Sequence, residues 1–222
     1  MQKIYKRDGI FPSLLKQIPD SPNLLYCYGD ISLLPKRCIT IVGTRQMTKY
    51  GKVVVRMLLG EFLKDLDIVV VSGLALGVDE YVHRTCLERG IKTIAVVPGG
   101  IDTAIPGRNK LLMKEIWKKG LILAEFPRGE KWFKHLYIQR NRILAGVSSE
   151  TIVIEAGEGS GSLTTAKLAL DYNREVYVVP GNITSEVSRG CNSLAKQGAN
   201  MITSVENMKE IVGIVGEQVT FY

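Results

Sequence analysis

The sequence has few residues that carry metal or disulfide chemistry. Its 222 residues include two histidines and four cysteines, and no two cysteines form a C-x-x-C pair. This composition argues against a zinc site, and we expect no bound metal. Scattered cysteines without a targeting signal favour a reducing, cytoplasmic setting.

Long apolar runs are also missing. No run approaches the ~18 residues that a membrane-spanning helix needs, so we expect no association with a membrane. The basic N-terminus, MQKIYKRDGIF, lacks the apolar core of a signal peptide.

Three motifs of nucleotide and ester chemistry are absent. The turn after the first predicted strand reads GTRQMTKYG rather than G-x-G-x-x-G, and the second strand ends in Ser72-Gly73 rather than in an acidic residue. The sequence contains neither a P-loop, G-x-x-x-x-G-K-[ST], nor a G-x-S-x-G nucleophile elbow. These absences argue against an NAD-dependent enzyme, a P-loop NTPase and an α/β-hydrolase.

Positive charge is present in excess and is unevenly distributed. The formal net charge is +7, and residues 114–142 contain eight basic residues against three acidic ones. A basic stretch of this kind suggests an anionic partner, although a solvated charged face is the alternative.

Short apolar runs alternate with helical patterns after residue 37. Continuously apolar strands separated by helices are typical of a doubly wound, mostly parallel α/β sheet with helices on both faces. We predict that residues 38–222 form this domain and that residues 1–37 are an irregular lead-in packing on its core. The predicted strands are 38–42, 68–72, 93–97, 121–125, 151–155, 175–179 and 200–203. The predicted helices lie near 50–64, 78–89, 109–119, 140–147, 162–173 and 191–197.

Glycine-rich turns follow five of the predicted strands. The carboxyl ends of parallel strands meet at one edge of the sheet, where such folds bind ligands. Backbone amides in small-residue turns and at helix starts attract anions, and the serine and threonine hydroxyls can donate to phosphate. The turns therefore predict a ligand that carries phosphate, although glycines that serve the turns alone are the alternative. The candidate residues here are Gly43, Thr44, Arg45, Gly73, Ser160, Gly161, Ser162 and Thr164.

The stretch FKHLYIQRNRILAG, residues 133–146, places aromatic rings next to cations. An aromatic ring can stack on any base while a cation holds the backbone, so this pattern predicts sequence-independent binding of single-stranded nucleic acid. We favour a base contact for Tyr137, with anchoring of the loop to the core as the alternative, and a backbone contact for Lys134. We expect Phe133 to anchor the loop to the core.

The motif Arg140-Asn141-Arg142 has two possible roles. Either its side chains contact the nucleic acid, or the arginines pair with Glu125 or Glu155 at neighbouring strand ends.

Asp79 and His83 are four residues apart on a predicted helix and can share one face of it. Acid–base chemistry is one interpretation of the pair. We favour a structural hydrogen bond that holds the start of the helix to the preceding glycine-rich turn.

Taken together, the ordered motifs resemble the DprA/Smf family of DNA-processing proteins of natural transformation. The resemblance covers about residues 24–204. It depends most on IVGTR (41–45), SGLALGVDEYVH (72–83), YIQRNRILAGVS (137–148) and VIEAGEGSGSLTTAKLA (153–169).

The resemblance implies an extended Rossmann-like fold that binds single-stranded DNA, protects incoming DNA, forms a homodimer and helps to load the RecA recombinase. It implies no catalytic residues, no enzymatic activity and no cofactor. By the same resemblance, the DNA pocket uses Arg45, Lys134 and Tyr137.

Two other functions stay open. One is a nucleoside-monophosphate phosphoribohydrolase of the lysine-decarboxylase-like (LOG) type, whose P-G-G-x-G-T-x-x-E signature supplies a glutamate. Here Ala166 lies where that acid would roughly fall, and PGGIDTA (98–104) has no acid at its end. The other is a regulatory module that binds a small nucleotide.

Overall fold

A single nine-stranded sheet runs through the computed structural model, which describes residues 1–102, 107–130, 133 and 135–214. The strand order across the sheet is β1-β2-β6-β5-β4-β3-β7-β8-β9. The strands are β1 (Gln2–Tyr5), β2 (Leu24–Gly29), β3 (Arg37–Val42), β4 (Ile68–Ser72), β5 (Thr93–Val97), β6 (Leu121–Ala124), β7 (Glu150–Val153), β8 (Glu175–Val178) and β9 (Asn200–Met201).

Strands β3 to β9 are mutually parallel, and only the β1–β2 and β2–β6 pairs are antiparallel. Strands β3, β4, β5 and β6 lie next to one another in chain order, and β7 then pairs with the other side of β3. The order therefore reverses between β3 and β7. In open α/β sheets, the crevice beyond the carboxyl ends of the strands at such a reversal is the usual place for a ligand.

Helices cover both faces of the sheet, because the strands are apolar on both sides. Val69 and Val71 of β4 point into one core, while Ile68 and Val70 point into the other. The predicted fold class, a doubly wound and mostly parallel α/β sheet, is confirmed. The helices are α1 (Ser13–Gln17), α2 (Lys49–Leu58), α3 (Val78–Arg89), α4 (Lys110–Lys119), α5 (His135–Gly146), α6 (Gly161–Asp171), α7 (Arg189–Lys196) and α8 (Val205–Ile211).

The prediction that residues 1–37 are irregular was wrong. This segment supplies β1, α1 and β2, and β2 pairs along its length with β6. Leu25 and Cys27 of β2 are buried in the same core as Ile143 of α5. The segment extends the sheet as an antiparallel edge, and its four prolines interrupt the hydrophobic pattern from which strands are predicted. The domain boundary at residue 37 stays a prediction.

Helix α5 begins at His135, five residues before its predicted start. Tyr137 and Arg140 therefore lie on one helix rather than on a loop and a helix. The helix predicted for residues 50–64 ends at Leu58, and a short 3-10 turn follows Gly60. Helix α8 was not predicted.

All four cysteines are free and buried. Burial raises the pKa of the thiols of Cys27, Cys38 and Cys191 to about 12, which keeps them protonated near neutral pH. Within the described ranges, no helix has the length and apolar character needed to cross a membrane.

The packing of β2 predicts that the N-terminal segment unfolds together with the rest of the sheet. Leu25 has no exposed surface, so Leu25→Ala should lower the free energy of unfolding by about 2–5 kcal/mol. Leu111→Ala is the matched control, because Leu111 is 73% exposed and its loss should change stability by no more than about 0.5 kcal/mol. Urea unfolding followed by circular dichroism measures both. An unchanged midpoint for Leu25→Ala would mean that the segment is not part of the cooperative unit.

Candidate nucleic-acid interface

A cleft of about 540 Å³ lies beyond the carboxyl ends of β3 and β7, where the strand order reverses. Its walls come from the loop after β3, from α5, from the loop between β7 and α6, and from the turn before α7. Nine of the predicted site residues line it: Gly43, Thr44, Arg45, Tyr137, Arg140, Asn141, Ser160, Gly161 and Ser162.

The loop after β3 is held firmly in place. The backbone N–H of Thr44 donates to the carbonyl oxygen of Glu155 at 2.6 Å, and the carbonyl oxygen of Thr44 accepts from the N–H of Val78 at 3.1 Å. A Cβ atom at Gly43 would lie 2.6 Å from Cγ2 of Val78, so glycine is needed for this close approach. These contacts fix the backbone from which the Arg45 side chain extends into the cleft.

Two arginines contact the ring of Tyr137. The guanidinium carbon of Arg45 lies 5.0 Å from the ring centroid, and that of Arg140 lies 5.8 Å from it. Both distances are within the range of cation–π attraction. Arg45 comes from the loop after β3, whereas Tyr137 and Arg140 are one turn apart on α5, so the fold brings together residues nearly 100 positions apart in the chain.

Arg140 is buried, with 6% of its surface exposed. Its Nη1 donates to the carbonyl oxygen of Val96 at 2.7 Å, and a Cβ atom at Gly73 would collide with its guanidinium group and lie 2.6 Å from Oδ2 of Asp79. Gly73 itself does not line the cleft, but it leaves the space occupied by Arg140 and Asp79, which do line it.

Burial shifts the pKa values of both Asp79 and Arg140. It raises the pKa of Asp79, while the charge of Arg140 and hydrogen bonds from Ala75, Ser72 and Gly43 act to lower it. Burial also lowers the pKa of Arg140, and the charge of Asp79 opposes that shift. Each group thus offsets part of the cost of burying the other.

The N-terminus of α6 forms the opposite wall. Ser160 caps the helix by accepting from the N–H of Ser162 at 3.4 Å, and the two hydroxyl oxygens are 2.8 Å apart. Nδ2 of Asn141 donates to the carbonyl oxygen of Gly161 at 3.2 Å, which ties α5 to α6. A helix of this length carries unpaired N–H groups and a partial positive charge at its start, both suited to an anion.

Several candidates lie elsewhere. Thr164 is exposed on α6 and does not line the cleft, whereas the next residue, Thr165, does. Lys134 lies outside the residues that the structure describes. Arg142 pairs with Glu125 and donates to the carbonyl oxygen of Asp20, so its observed contacts are the structural ones.

Two expectations about side-chain packing were wrong. Phe133 does not anchor its loop in the core, since 51% of its surface is exposed. His83 does not bond to Asp79, because its Nδ1 lies 2.8 Å from Oγ1 of Thr93. Burial lowers the pKa of His83 to about 3, so the imidazole stays neutral near pH 7.

The turn before α7 was not predicted to be part of the site. Glu186, Val187 and Arg189 line the cleft, because the N–H of Gly190 donates to the carbonyl oxygen of Ala156 at 2.8 Å and holds the turn over the loop after β7. This turn follows β8 in the chain rather than β7, so no local pattern connects it to the cleft. Glu158 was also missed, although it lies within a motif already singled out.

Comparison with known proteins agrees with the motifs. A family model described as DNA recombination-mediator protein A matches residues 2–213. The chain belongs to this family. It is 38% identical over 202 residues to DNA processing protein DprA of Streptococcus pneumoniae, covering 90% of this chain and 71% of that protein. It is 41% identical over 201 residues to the Bacillus subtilis protein of the same name, covering 90% of this chain and 67% of that one.

Solved structures of two relatives share the fold. The structure of DprA from S. pneumoniae superposes with a TM-score of 0.89 at 35% identity, covering 97% of this chain and 75% of that one. A structure of DNA processing protein A from Helicobacter pylori, described as giving insight into that protein's unique single-stranded DNA binding mode, has a TM-score of 0.85 at 32% identity. The match covers 96% of this chain and 96% of the H. pylori chain.

The close packing of Gly73 against Arg140 and Asp79 yields a prediction. Gly73→Ala forces Arg140 and Asp79 to shift, and overpacking of this kind should cost about 1–3 kcal/mol of stability. Gly161→Ala is the matched control, because a Cβ atom there meets nothing within 4 Å and should cost little. Thermal unfolding of the two variants measures the difference, and equal melting temperatures would contradict the close contact at Gly73.

Proposed function

We propose that this protein binds single-stranded DNA without regard to sequence, in the cleft between the loop after β3 and the start of α6. The proposal includes no catalytic step and no cofactor. Its main support is the contact of Arg45 and Arg140 with Tyr137 at the mouth of an anion-attracting helix N-terminus.

The two walls of the cleft suit the two parts of a nucleotide. Arg45 and the N-terminus of α6 supply positive charge and N–H donors for phosphate oxygens. The ring of Tyr137 can stack on a base, a contact worth about 1–3 kcal/mol that every base can make. Since neither interaction reads the edge of a base, the affinity should depend on salt and strand length more than on sequence.

A relative in the same family also supports single-stranded DNA as the ligand. The H. pylori relative, whose structure is described by its single-stranded DNA binding mode, matches this chain over 96% of its length. The motif residues Arg45 and Tyr137 meet in the cleft, as expected if this chain uses the same pocket.

We further propose a cellular role on the basis of family membership. The protein would protect incoming DNA and promote loading of RecA during natural transformation and recombination, acting as a homodimer in the cytoplasm. Four free, buried cysteines are compatible with a reducing compartment. Apolar residues near 191–215 are candidate contacts between the two copies, and one of them, Met201 on the edge strand β9, is exposed.

Fluorescence anisotropy of a labelled oligo-dT strand tests the proposed ligand. Arg45→Ala removes a phosphate contact, so its affinity should fall about tenfold at low salt, and the slope of log K against log salt should decrease by about one. Tyr137→Ala should weaken binding by about 5- to 100-fold with little change in slope, since stacking carries no net charge.

Arg56→Ala is the matched control. It removes the same charge from the far end of α2, where Arg56 pairs with Glu88, and should leave binding unchanged. Equal losses in Arg56→Ala and Arg45→Ala would indicate binding by overall charge alone. If the folded wild type binds no oligonucleotide, the proposal is wrong, and an assay for base release from nucleoside monophosphates would test the hydrolase alternative.

A further inference from the structure

An aromatic pair lies just outside the cleft, at the start of α5. The rings of Phe133 and His135 are stacked, with centroids 5.7 Å apart and planes inclined by 13°. No part of the proposed DNA pocket includes either ring, since neither residue lines the cleft.

The pair is positioned by the same helix that carries Tyr137. The N–H of Leu136 donates to the carbonyl oxygen of Phe133 at 3.0 Å, a turn bond that leads into α5. The helix begins at His135, two residues before Tyr137, and Phe133 lies two residues before the helix begins. The pair therefore lies at the end of α5 that carries Tyr137, and Tyr137, Arg140 and Asn141 line the cleft from the same helix.

Burial does not explain the position of Phe133. The side chain is 51% exposed although it is fully apolar, and its described ring contact is His135, which is itself exposed. A single exposed apolar residue needs no explanation. Two nearly parallel, exposed rings at the start of the helix that carries Tyr137, in a basic stretch of the chain, form a surface that can receive another flat ring.

We propose that Phe133 and His135 form a second stacking platform, which takes the base of the nucleotide next to the one on Tyr137. This proposal depends on the proposed function, because it extends the path of single-stranded DNA out of the cleft along α5. Stacking on Phe133 requires no hydrogen bond to the base, so the platform should accept any base.

The test is a series of substitutions at Phe133, measured by anisotropy with an oligo-dT strand of about 16 nucleotides. Phe133→Trp and Phe133→Tyr keep an aromatic face and should bind as tightly as the wild type. Phe133→Leu and Phe133→Ala remove it, and each should weaken binding by about 5- to 10-fold. Phe133→Leu is decisive, because leucine retains the apolar surface and loses only the ring.

The salt dependence separates stacking from a change in charge or fold. The slope of log K against log salt should be the same in Phe133→Ala as in the wild type, since no phosphate contact is lost. Ile138→Ala is the matched control, because Ile138 is 63% exposed on the same helix and carries no ring. Its affinity should equal that of the wild type.

The outcomes distinguish the platform from the pocket. If the wild type binds and Tyr137→Ala weakens binding, but Phe133→Leu and Phe133→Ala bind normally, the platform is wrong and the pocket stands. If Phe133→Ala and Ile138→Ala lose the same affinity, the loss reflects a disturbance of α5 rather than the loss of a stacked ring. That result would also contradict the proposed platform. If the wild type does not bind the oligonucleotide, the proposed function itself is wrong.

Discussion

The cleft depends on one buried cation. Arg140 lies under the ring of Tyr137, donates to the carbonyl oxygen of Val96 at the end of β5, and lies close to the carboxylate of Asp79 at the start of α3. A buried guanidinium is costly unless its charge is offset and its N–H groups are bonded. Asp79 and the carbonyl oxygen of Val96 meet part of this requirement and limit where the group can lie, while Nε of Arg140 has no hydrogen-bond partner among the described residues. Glycine at position 73 leaves room for the pair. The side chain that would hold a base, Tyr137, is therefore oriented by the interior of the protein rather than by the ligand.

Topology supplies the rest of the site. Because β7 returns to lie beside β3, the loop that carries Arg45 and the loop that precedes α6 meet although they are more than 100 residues apart. Helix α5 bridges them, with Asn141 bonded to the start of α6 and Tyr137 in contact with Arg45. A site assembled from rigid strand ends and helix termini needs little reorganisation when it binds a flexible strand, which lowers the entropic cost of binding.

The sequence predicted the parts of this arrangement that leave a local signal. Continuous apolar runs such as residues 68–72 indicated the buried parallel strands, and the glycine-rich turns indicated the edge of the sheet where the cleft lies. Strands β1 and β2 were missed because the prolines within residues 1–37 interrupt the hydrophobic pattern and the two strands pair antiparallel, outside the alternation of strands and helices. The position of Arg189 in the cleft wall was missed because it depends on how distant parts of the chain pack together. The exposure of Phe133 was missed for the same reason, since the sequence does not show which side chains cover it. His83 was paired with Asp79 from helical spacing, whereas burial against β5 gave it Thr93 instead.

The central claim is that a base of single-stranded DNA stacks on Tyr137 inside the cleft. Photo-crosslinking with an oligonucleotide that carries 5-iodouracil, followed by mass spectrometry of the digested complex, tests it most directly, because an excited iodouracil reacts with an aromatic side chain in contact with it. We expect the main crosslink to fall on Tyr137 and unlabelled oligo-dT to compete it away. Crosslinks confined to peptides remote from the cleft, such as the edge formed by β9, would contradict it.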